Sequence, residues 1–422
     1  LIRHDYESGQ SEGVKLALIV KKFGGSSVAT PDKMQSIVQR VLKGMKEDDQ
    51  VVLVVSAMGD TTDELVSLAR QVTSKPYGRE MDMLLSTGEQ ISIALMAMAF
   101  AEAGHKAVSF TGAQAGIVTS KAYNKGRILE INAERVKEAL QEGNIVIVAG
   151  FQGMTDDGDI TTLGRGGSDT TAVAVAGAIN ADACEIYTDV DGIYTSDPRV
   201  VPEARKMEEI TYGEMLEMAK LGAGVMQPRA VEMGSRFNVP IHVRSTFSEI
   251  KGTMIQEGYS MEVKQYLIRG VAEDKNVAKV TILGVPNKPG YAYRIFAELA
   301  DRNIDVDMIV QSVRVANEGV TDITFTVSRD DSALVRDVLA EIRDELSIED
   351  ILIDEKMGKV SVVGAGMAGH PGIAASMFGI MSDNGINIEI ISTSEISITC
   401  LIGEESVDKA VRAIHAHFFD KD

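Results

Sequence analysis

Up to the Ile250–Gly258 segment, short β-branched apolar runs alternate with stretches of helical periodicity. Leu16–Lys22, Val51–Ser56, Ala107–Thr111, Ile145–Phe151 and Glu185–Thr188 read as strands. Several are apolar almost throughout, the pattern of strands covered on both faces. Between and after them, Pro31–Lys46, Thr62–Thr73, Met81–Ala103, Asn132–Glu142, Thr170–Ile179 and Tyr212–Leu221 read as helices. This alternation predicts an α/β domain built around a mainly parallel sheet.

Beyond that segment one pattern occurs twice. The first copy runs Ala278-Lys-Val-Thr-Ile-Leu-Gly284, Lys288-Pro-Gly-Tyr-Ala292, Phe296, Asn303-Ile-Asp-Val-Asp-Met-Ile309. The second runs Gly358-Lys-Val-Ser-Val-Val-Gly364, His370-Pro-Gly-Ile-Ala374, Phe378, Gly385-Ile-Asn-Ile-Glu-Ile-Ile391. The offset is 80 at the first strand and 82 from the Pro-Gly onward. Two such units are too few for a solenoid and read as a tandem βαββαβ repeat. The alternation in Ile304–Ile309 suits a half-buried strand. The expected division is a lead-in at 1–14, a front domain at 15–257 and repeat units at 267–345 and 346–422.

Composition narrows the function classes. The 422 residues carry 42 Lys and Arg against 62 Asp and Glu, a net charge of −20. Such a chain repels phosphate backbones and anionic lipid, which argues against nucleic acid and membrane partners. No apolar run reads as long enough to span a bilayer, and the polar stretch Leu1–Val14 lacks the apolar core of a secretory signal. Cys184 and Cys400 offer neither a disulfide framework nor metal-ligand spacing, so a reducing, cytoplasmic setting is the natural reading. His415 and His417, at i and i+2, do not share a helix face, and no metal site is expected.

Two glycine-rich turns carry the candidate chemistry. Lys22-Phe-Gly-Gly-Ser-Ser-Val28 follows a strand and precedes a helix. Gly24 and Gly25 let the backbone approach an anion, and the helix N-terminus supplies free N–H groups. The spacing is neither that of a Walker A loop nor that of the dinucleotide fingerprint. Leu163-Gly-Arg-Gly-Gly-Ser-Asp-Thr-Thr171 opens another helix and adds Arg165 and Asp169; its bland reading makes Ser168 or Asp169 only an N-cap. Two anion cradles in one α/β domain point to a polyphosphate between them. Thr188-Asp-Val-Asp-Gly-Ile-Tyr194 and Asp197-Pro-Arg199 follow a further strand, where Asp before Gly is a turn former by default. Ser56-Ala-Met-Gly-Asp-Thr-Thr62 and Ser86-Thr-Gly-Glu89 offer hydroxyls and a carboxylate suited to a small polar substrate.

Together these four ordered motifs resemble the signature of the aspartate kinases, within the amino acid kinase family. The repeat resembles the paired ACT domains of the same enzymes, including Thr321-Asp-Ile-Thr-Phe-Thr326 and Ile391-Ser-Thr-Ser-Glu-Ile396. The resemblance covers nearly everything after Val14. It implies an amino acid kinase fold, a mainly parallel sheet sandwiched by helices, followed by two ferredoxin-like ACT domains. It also implies ATP-dependent phosphorylation of the L-aspartate side-chain carboxylate, with Mg²⁺ arriving on ATP. By motif position, Lys22 would stabilise the transferring phosphoryl group and Asp169 would organise that lysine. Ser56, Thr62, Glu89, Arg165 and Ser168 would hold aspartate, with Glu89 facing its ammonium and Arg165 a carboxylate. Lys22, Gly24, Gly25, Ser26, Gly166, Gly167, Thr188, Asp189, Tyr194 and Arg199 would serve the nucleotide. One departure is Gly224, where many relatives carry a Lys that contacts nucleotide.

The resemblance further implies an effector, lysine or threonine or both, in clefts between the repeat units. Asn287, Pro289, Gly290, Ala292, Asn303, Ile304, Gln311, Asn387 and Ile388 would line them, although Asn303 and Asn387 also read as plain helix-terminating residues. A homo-oligomer through the ACT domains is implied, and Met261 would be an internal start for a separate regulatory chain. The competing readings are a kinase acting on glutamate or a related carboxylate and a catalytically silent amino-acid sensor. Intact Lys22, Arg165 and Asp169 speak against the latter.

Overall fold

A computed structural model describes residues 17–46, 49–76, 78–259, 267–313, 319–367 and 370–420. The lead-in at 1–14 and Met261 lie outside them. By internal contacts the chain forms two units. The first runs to Ile193 and takes in Glu208–Tyr212 and Met226–Tyr259; the second takes Tyr194–Met207, Gly213–Val225 and the remainder.

In chain order the first part is β1 (Leu18–Phe23), α1 (Pro31–Gly44), β2 (Gln50–Val55), α2 (Thr61–Val72), α3 (Gly78–Glu102) and β3 (Ala107–Phe110). There follow β4 (Ile117–Thr119), β5 (Ile128–Ile131), α4 (Glu134–Gln141), β6 (Ile145–Ala149), β7 (Gln152–Met154), β8 (Ile160–Thr162), α5 (Gly167–Ile179) and β9 (Ala183–Thr188). Then come β10 (Glu209–Thr211), α6 (Tyr212–Lys220), α7 (Pro228–Phe237), β11 (Ile241–Ser245) and β12 (Thr253–Gln256). The strands and helices expected from periodicity are present to within a few residues. The short strands β4, β5, β7 and β8 carry too few residues for a period to register, and they form a separate sheet in the order β5-β4-β7-β8.

The main sheet has the order β10-β12-β11-β9-β1-β2-β6-β3. All its pairings are parallel except β11 with β12. Strand parity assigns the faces. Phe23, Val51, Leu53, Val55, Ile145 and Ile147 form one core with Met34, Ile37 and Val41 of α1 and Ile93, Met96 and Phe100 of α3. Residues of opposite parity, Lys22 among them, face the other way, where α5 packs on β1, β2 and β9. Helix α1 starts at a signalled position: Pro31 opens it, and the Thr30 side chain accepts from the Lys33 N–H.

One expectation from the apolar pattern is corrected. Helix α3, at 25 residues, is long and apolar enough to cross a bilayer. It is instead a core helix, with Leu85, Ile93, Met96 and Phe100 buried and two buried carboxylates, Asp82 and Glu89, along its length. Apolar length alone does not separate the two cases.

The second unit continues with β13 (Gly270–Pro286), α8 (Tyr291–Asp301), β14 (Asp307–Val313), β15 (Val320–Ser328), α9 (Ser332–Ile342) and β16 (Asp350–Val363). It ends with α10 (Ile373–Asp383), β17 (Ile390–Thr393), β18 (Ser397–Gly403) and α11 (Val407–Phe419). The repeats do not build two separate sheets placed side by side. They share one six-stranded sheet, β14-β15-β13-β16-β18-β17. Strands β13 and β16 run antiparallel along their whole length, from Gly270 against Val363 to Leu283 against Asp350. The half of β13 before Val277 thus completes the second repeat, and the half after it opens the first. Each repeat keeps its own core. Val280, Ile282, Phe325, Ile295, Leu299, Val335 and Leu339 make the first; Val271, Val360, Val362, Cys400, Met377, Val411 and Ile414 make the second.

Candidate functional site

The carboxyl ends of β1, β2, β6 and β9 lie side by side, and the loops leaving them carry the first unit's candidates. This is where open parallel sheets bind ligands. Lys22 sits one residue before the end of β1, on the α5 face. Its Nζ lies 2.6 Å from Asp169 Oδ1 in the first turn of α5, with both side chains about nine-tenths buried. The N-cap of α5 is Gly166, in a left-handed conformation and without a side-chain cap. Ser168 and Asp169 are therefore not capping residues and are available to the site.

The first glycine turn wraps closely against the loop after β2. A Cβ on Gly25 would lie 2.9 Å from the Ala57 carbonyl oxygen, and one on Gly24 would lie 3.4 Å from Lys22 Nζ. Ser27 N–H donates to the Gly24 carbonyl at 2.9 Å, and its hydroxyl pairs with that of Thr246 at 2.7 Å. Ser26 is exposed, its carbonyl held by Lys33 Nζ at 2.8 Å.

On the neighbouring side, Ser56 Oγ donates to Ser168 Oγ at 2.9 Å, joining the end of β2 to the start of α5. Glu89 reaches the same loop from α3. It is 3% exposed, its Oε1 accepts from the Ala57 N–H at 3.0 Å, and its buried Oε2 has no hydrogen-bond partner among the described residues. Burial pushes its carboxyl from 4.5 to about 7, against the pull of the Ala57 N–H. A buried carboxylate oxygen left without a donor is costly and marks a place for a cationic or donor ligand. Thr62 is half-buried in the first turn of α2, and Arg165 is exposed on the second glycine turn.

Four supports of this site carry no motif. A Cβ on Gly150, just after β6, would lie 2.5 Å from Ser168 Oγ, so only glycine leaves that hydroxyl its place. Phe151 has φ +67°, a strained conformation for an aromatic residue. Its carbonyl accepts from Leu163 N–H at 2.8 Å and its N–H donates to Thr171 Oγ1 at 3.1 Å. Arg229 at the start of α7 donates to the Leu163 carbonyl at 3.2 Å, and Gln227 lies over Gly166, whose Cβ would come within 1.8 Å of Gln227 Cγ. A strand-end glycine and the Pro228–Arg229 helix start are the only sequence signals for these.

Thr188 and Asp189 lie at the end of β9, with Thr188 Oγ1 donating to Asp189 Oδ1 at 3.0 Å. Tyr194 and Arg199 belong to the second unit. Tyr194 bridges Lys206, and the Arg199 guanidinium is held by both oxygens of Asp197. Gly224 is exposed, also in the second unit. Among the described residues no group of three or more His, Cys, Asp and Glu side chains could hold a metal ion. Both cysteines are buried, and burial pushes their thiols up.

In the first repeat, a pocket of about 340 Å³ is lined by Val285–Ala292, Gln311, Thr321 and Ile323. It brings together Asn287, Pro289, Gly290, Ala292 and Gln311. It lies within the first repeat, at the turn before α8, not between repeats. Asn303 is in the left-handed region at the end of α8, and Ile304 is buried in the first core; neither lines the pocket. In the second repeat Asn387 Nδ2 donates to Glu389 Oε1 at 3.0 Å, and Ile388 packs on that repeat's core.

The amino acid kinase family model matches residues 17–245, and ACT domain models match 279–346 and 360–418. The aspartokinase of Mycolicibacterium smegmatis is 49% identical over 405 residues, 96% of each chain. The aspartate kinase of Pseudomonas putida is 47% identical over 96% of this chain and 98% of its own. The crystal structure of E. coli aspartokinase III in complex with aspartate and ADP matches with a TM-score of 0.81 at 27% identity, covering 95% of this chain and 100% of that one. Similarity over nearly the whole chain and the domain matches agree: this chain belongs to the amino acid kinase family, among its aspartokinases with two ACT domains.

Proposed function

We propose that this chain transfers the γ-phosphoryl group of ATP to the side-chain carboxylate of L-aspartate, giving 4-phospho-L-aspartate. The observation that carries the reading is a connected set: Glu89, whose buried Oε2 has no partner among the described residues, holds Ala57 N–H beside Ser56, and Ser56 pairs with Ser168 beside the Lys22–Asp169 ion pair. A ligand with an ammonium at one end and a reacting carboxylate at the other suits that arrangement. The E. coli aspartokinase III structures contain aspartate, with ADP in one and lysine in the other.

The chemistry asks little of proton transfer. A side-chain carboxylate is already ionised at pH 7, so the acceptor needs no general base. Phosphoryl transfer needs alignment and neutralisation of charge on the moving group. Lys22 Nζ supplies a buried positive charge, and Asp169 fixes its position. The N–H groups at the start of α5 and in the Gly24–Gly25 turn supply fixed donors to phosphate oxygens. Arg165 clamps the aspartate α-carboxylate, Glu89 takes its ammonium, and Ser56, Thr62 and Ser168 complete its shell. Gly166, Gly167, Ser26, Thr188, Asp189, Tyr194 and Arg199 serve the nucleotide. Mg²⁺ would arrive on the phosphates of ATP. When bound, the ion neutralises phosphate charge.

The 340 Å³ pocket at Asn287–Ala292 is the proposed effector site, for lysine, threonine or both, acting by feedback on the first step of their synthesis. Edge strand β14 exposes Ile309 and Val310, which supports assembly with a second copy through this sheet. The reading places the protein in the cytoplasm.

The test is ADP release with Mg-ATP and aspartate, glutamate or no acceptor, repeated with lysine and threonine. Aspartate-dependent release lowered by either amino acid is expected. Turnover on glutamate alone, or none with any acceptor, would reject the proposal.

A further inference from the structure

The chain leaves the main sheet after β9 and returns to it at β10, and the segment between, Tyr194–Met207, belongs to the second unit. It has almost no regular structure; its only bridge is Tyr194 with Lys206. Its order must come from elsewhere, and it comes from the second ACT repeat. Val201 is 2% exposed and lies within that repeat's core, with Val200 and Ala204 packed against it.

The polar anchor is Thr195, whose every polar group is in use. Its N–H donates to the Arg205 carbonyl at 2.9 Å, and its carbonyl accepts from the Val271 N–H of β13 at 2.7 Å. Its hydroxyl accepts from the Arg205 N–H at 2.9 Å and pairs with His415 Nε2 of α11 at 2.9 Å. His415 is fully buried and stacked on Phe419 with ring centroids 4.6 Å apart. Its Nδ1 has no partner among the described residues, so the Thr195 hydroxyl is the one hydrogen bond its ring makes there. A buried imidazole satisfied at only one nitrogen is an unusual expense for mere packing. Burial lowers its pKa and keeps the ring neutral at pH 7.

We propose that Thr195 and His415 are positioning residues for the nucleotide: their hydrogen bond fastens the 194–207 strap, which carries Tyr194 and Arg199, to the second ACT repeat. This rests on the reading of Tyr194 and Arg199 as nucleotide residues. Arg199 is paired with Asp197 within the strap, and fastening the strap at Thr195 holds the backbone segment from which both side chains project.

The test is calorimetric titration of the full-length protein with Mg-AMPPNP and, separately, with aspartate. Thr195→Val keeps the shape and leaves the buried His415 Nε2 and the Arg205 N–H without their partner. Its nucleotide affinity is expected to fall about tenfold, with aspartate affinity unchanged. Thr195→Ser keeps the hydroxyl and should restore nucleotide affinity to near the unsubstituted value. Unchanged nucleotide binding in Thr195→Val would overturn the proposal, and so would equal loss of both ligands, the mark of a general structural role. A protein that binds nucleotide in this hydroxyl-dependent way but releases no ADP with aspartate would sink the acceptor assignment and leave this inference standing. A protein that binds no nucleotide at all would sink both.

Discussion

Glu89→Gln is the most informative single change, because it separates the two things the carboxylate does. In the free protein Glu89 is 3% exposed, holds one N–H through Oε1 and has no partner for Oε2 among the described residues. Burial raises its pKa from 4.5 to about 7. A carboxyl with a folded pKa above its unfolded value binds more protons folded than unfolded, so the native state loses stability as pH rises from 4.5 through 7. Integrated between pH 5 and pH 8, a shift of that size amounts to about 2.5 kcal/mol. Glutamine keeps the acceptor for Ala57 and removes the ionisation. Relative to the unsubstituted protein, the variant should therefore gain up to about 2.5 kcal/mol between pH 5 and pH 8. Urea unfolding at the two pH values measures this. Aspartate reverses the order: its ammonium compensates the buried charge, so saturating aspartate at pH 8 should stabilise the unsubstituted protein and not the variant, whose aspartate KM should rise at least about tenfold. A stability difference that does not change with pH, or equal stabilisation of both proteins by aspartate, would refute the assignment of Glu89 to the ammonium.

Other substitutions probe the remaining parts. Lys22→Ala should lower kcat by about a thousandfold or more while circular dichroism still reports a folded chain; near-normal kcat would remove Lys22 from the chemistry. Gly150→Ala places a Cβ 2.5 Å from Ser168 Oγ, so aspartate KM should rise with little change in ATP KM; an unchanged aspartate KM would mean Ser168 does not touch the substrate. Gln311→Ala in the pocket before α8 should raise the half-inhibitory concentration of the effector several-fold, read from inhibition curves with lysine and threonine; unaltered curves for both would place the effector elsewhere. Gly284 has φ +70° and its Cβ would come within 2.2 Å of the Glu349 side chain, so Gly284→Ala should cost about 1–3 kcal/mol of stability in chemical unfolding.

Much of the candidate site is legible in the sequence because its parts are local. Gly24–Gly25 and Gly164–Gly167 are backbone requirements written directly as residue type, and the first precedes a helix whose start Thr30 and Pro31 signal. Glu89 was legible as a candidate but not as a buried orphan. Its burial depends on α3 lying against the loop after β2, a packing that no window of sequence contains. Lys21 and Lys22 make the same point. They are adjacent and alike in sequence, yet strand parity sends Lys22 to Asp169 and Lys21 to a buried ion pair with Glu185. Gly150, Phe151, Gln227 and Arg229 support the site from distant positions and carry weak or no local pattern.

The order of elements, the two glycine cradles, the acidic charge and the doubled βαββαβ pattern were fixed by residue type and spacing, because helix and strand periods and backbone sterics act within a few residues of one another. Three matters needed the folded chain: that two repeats share one sheet through β13 and β16, that the segment bearing Tyr194 and Arg199 belongs with the second repeat, and that Glu89 Oε2 lies buried with no donor among the described residues. Each depends on contacts between residues far apart in sequence, where the free energy of burial and pairing is decided by shape and not by neighbours along the chain.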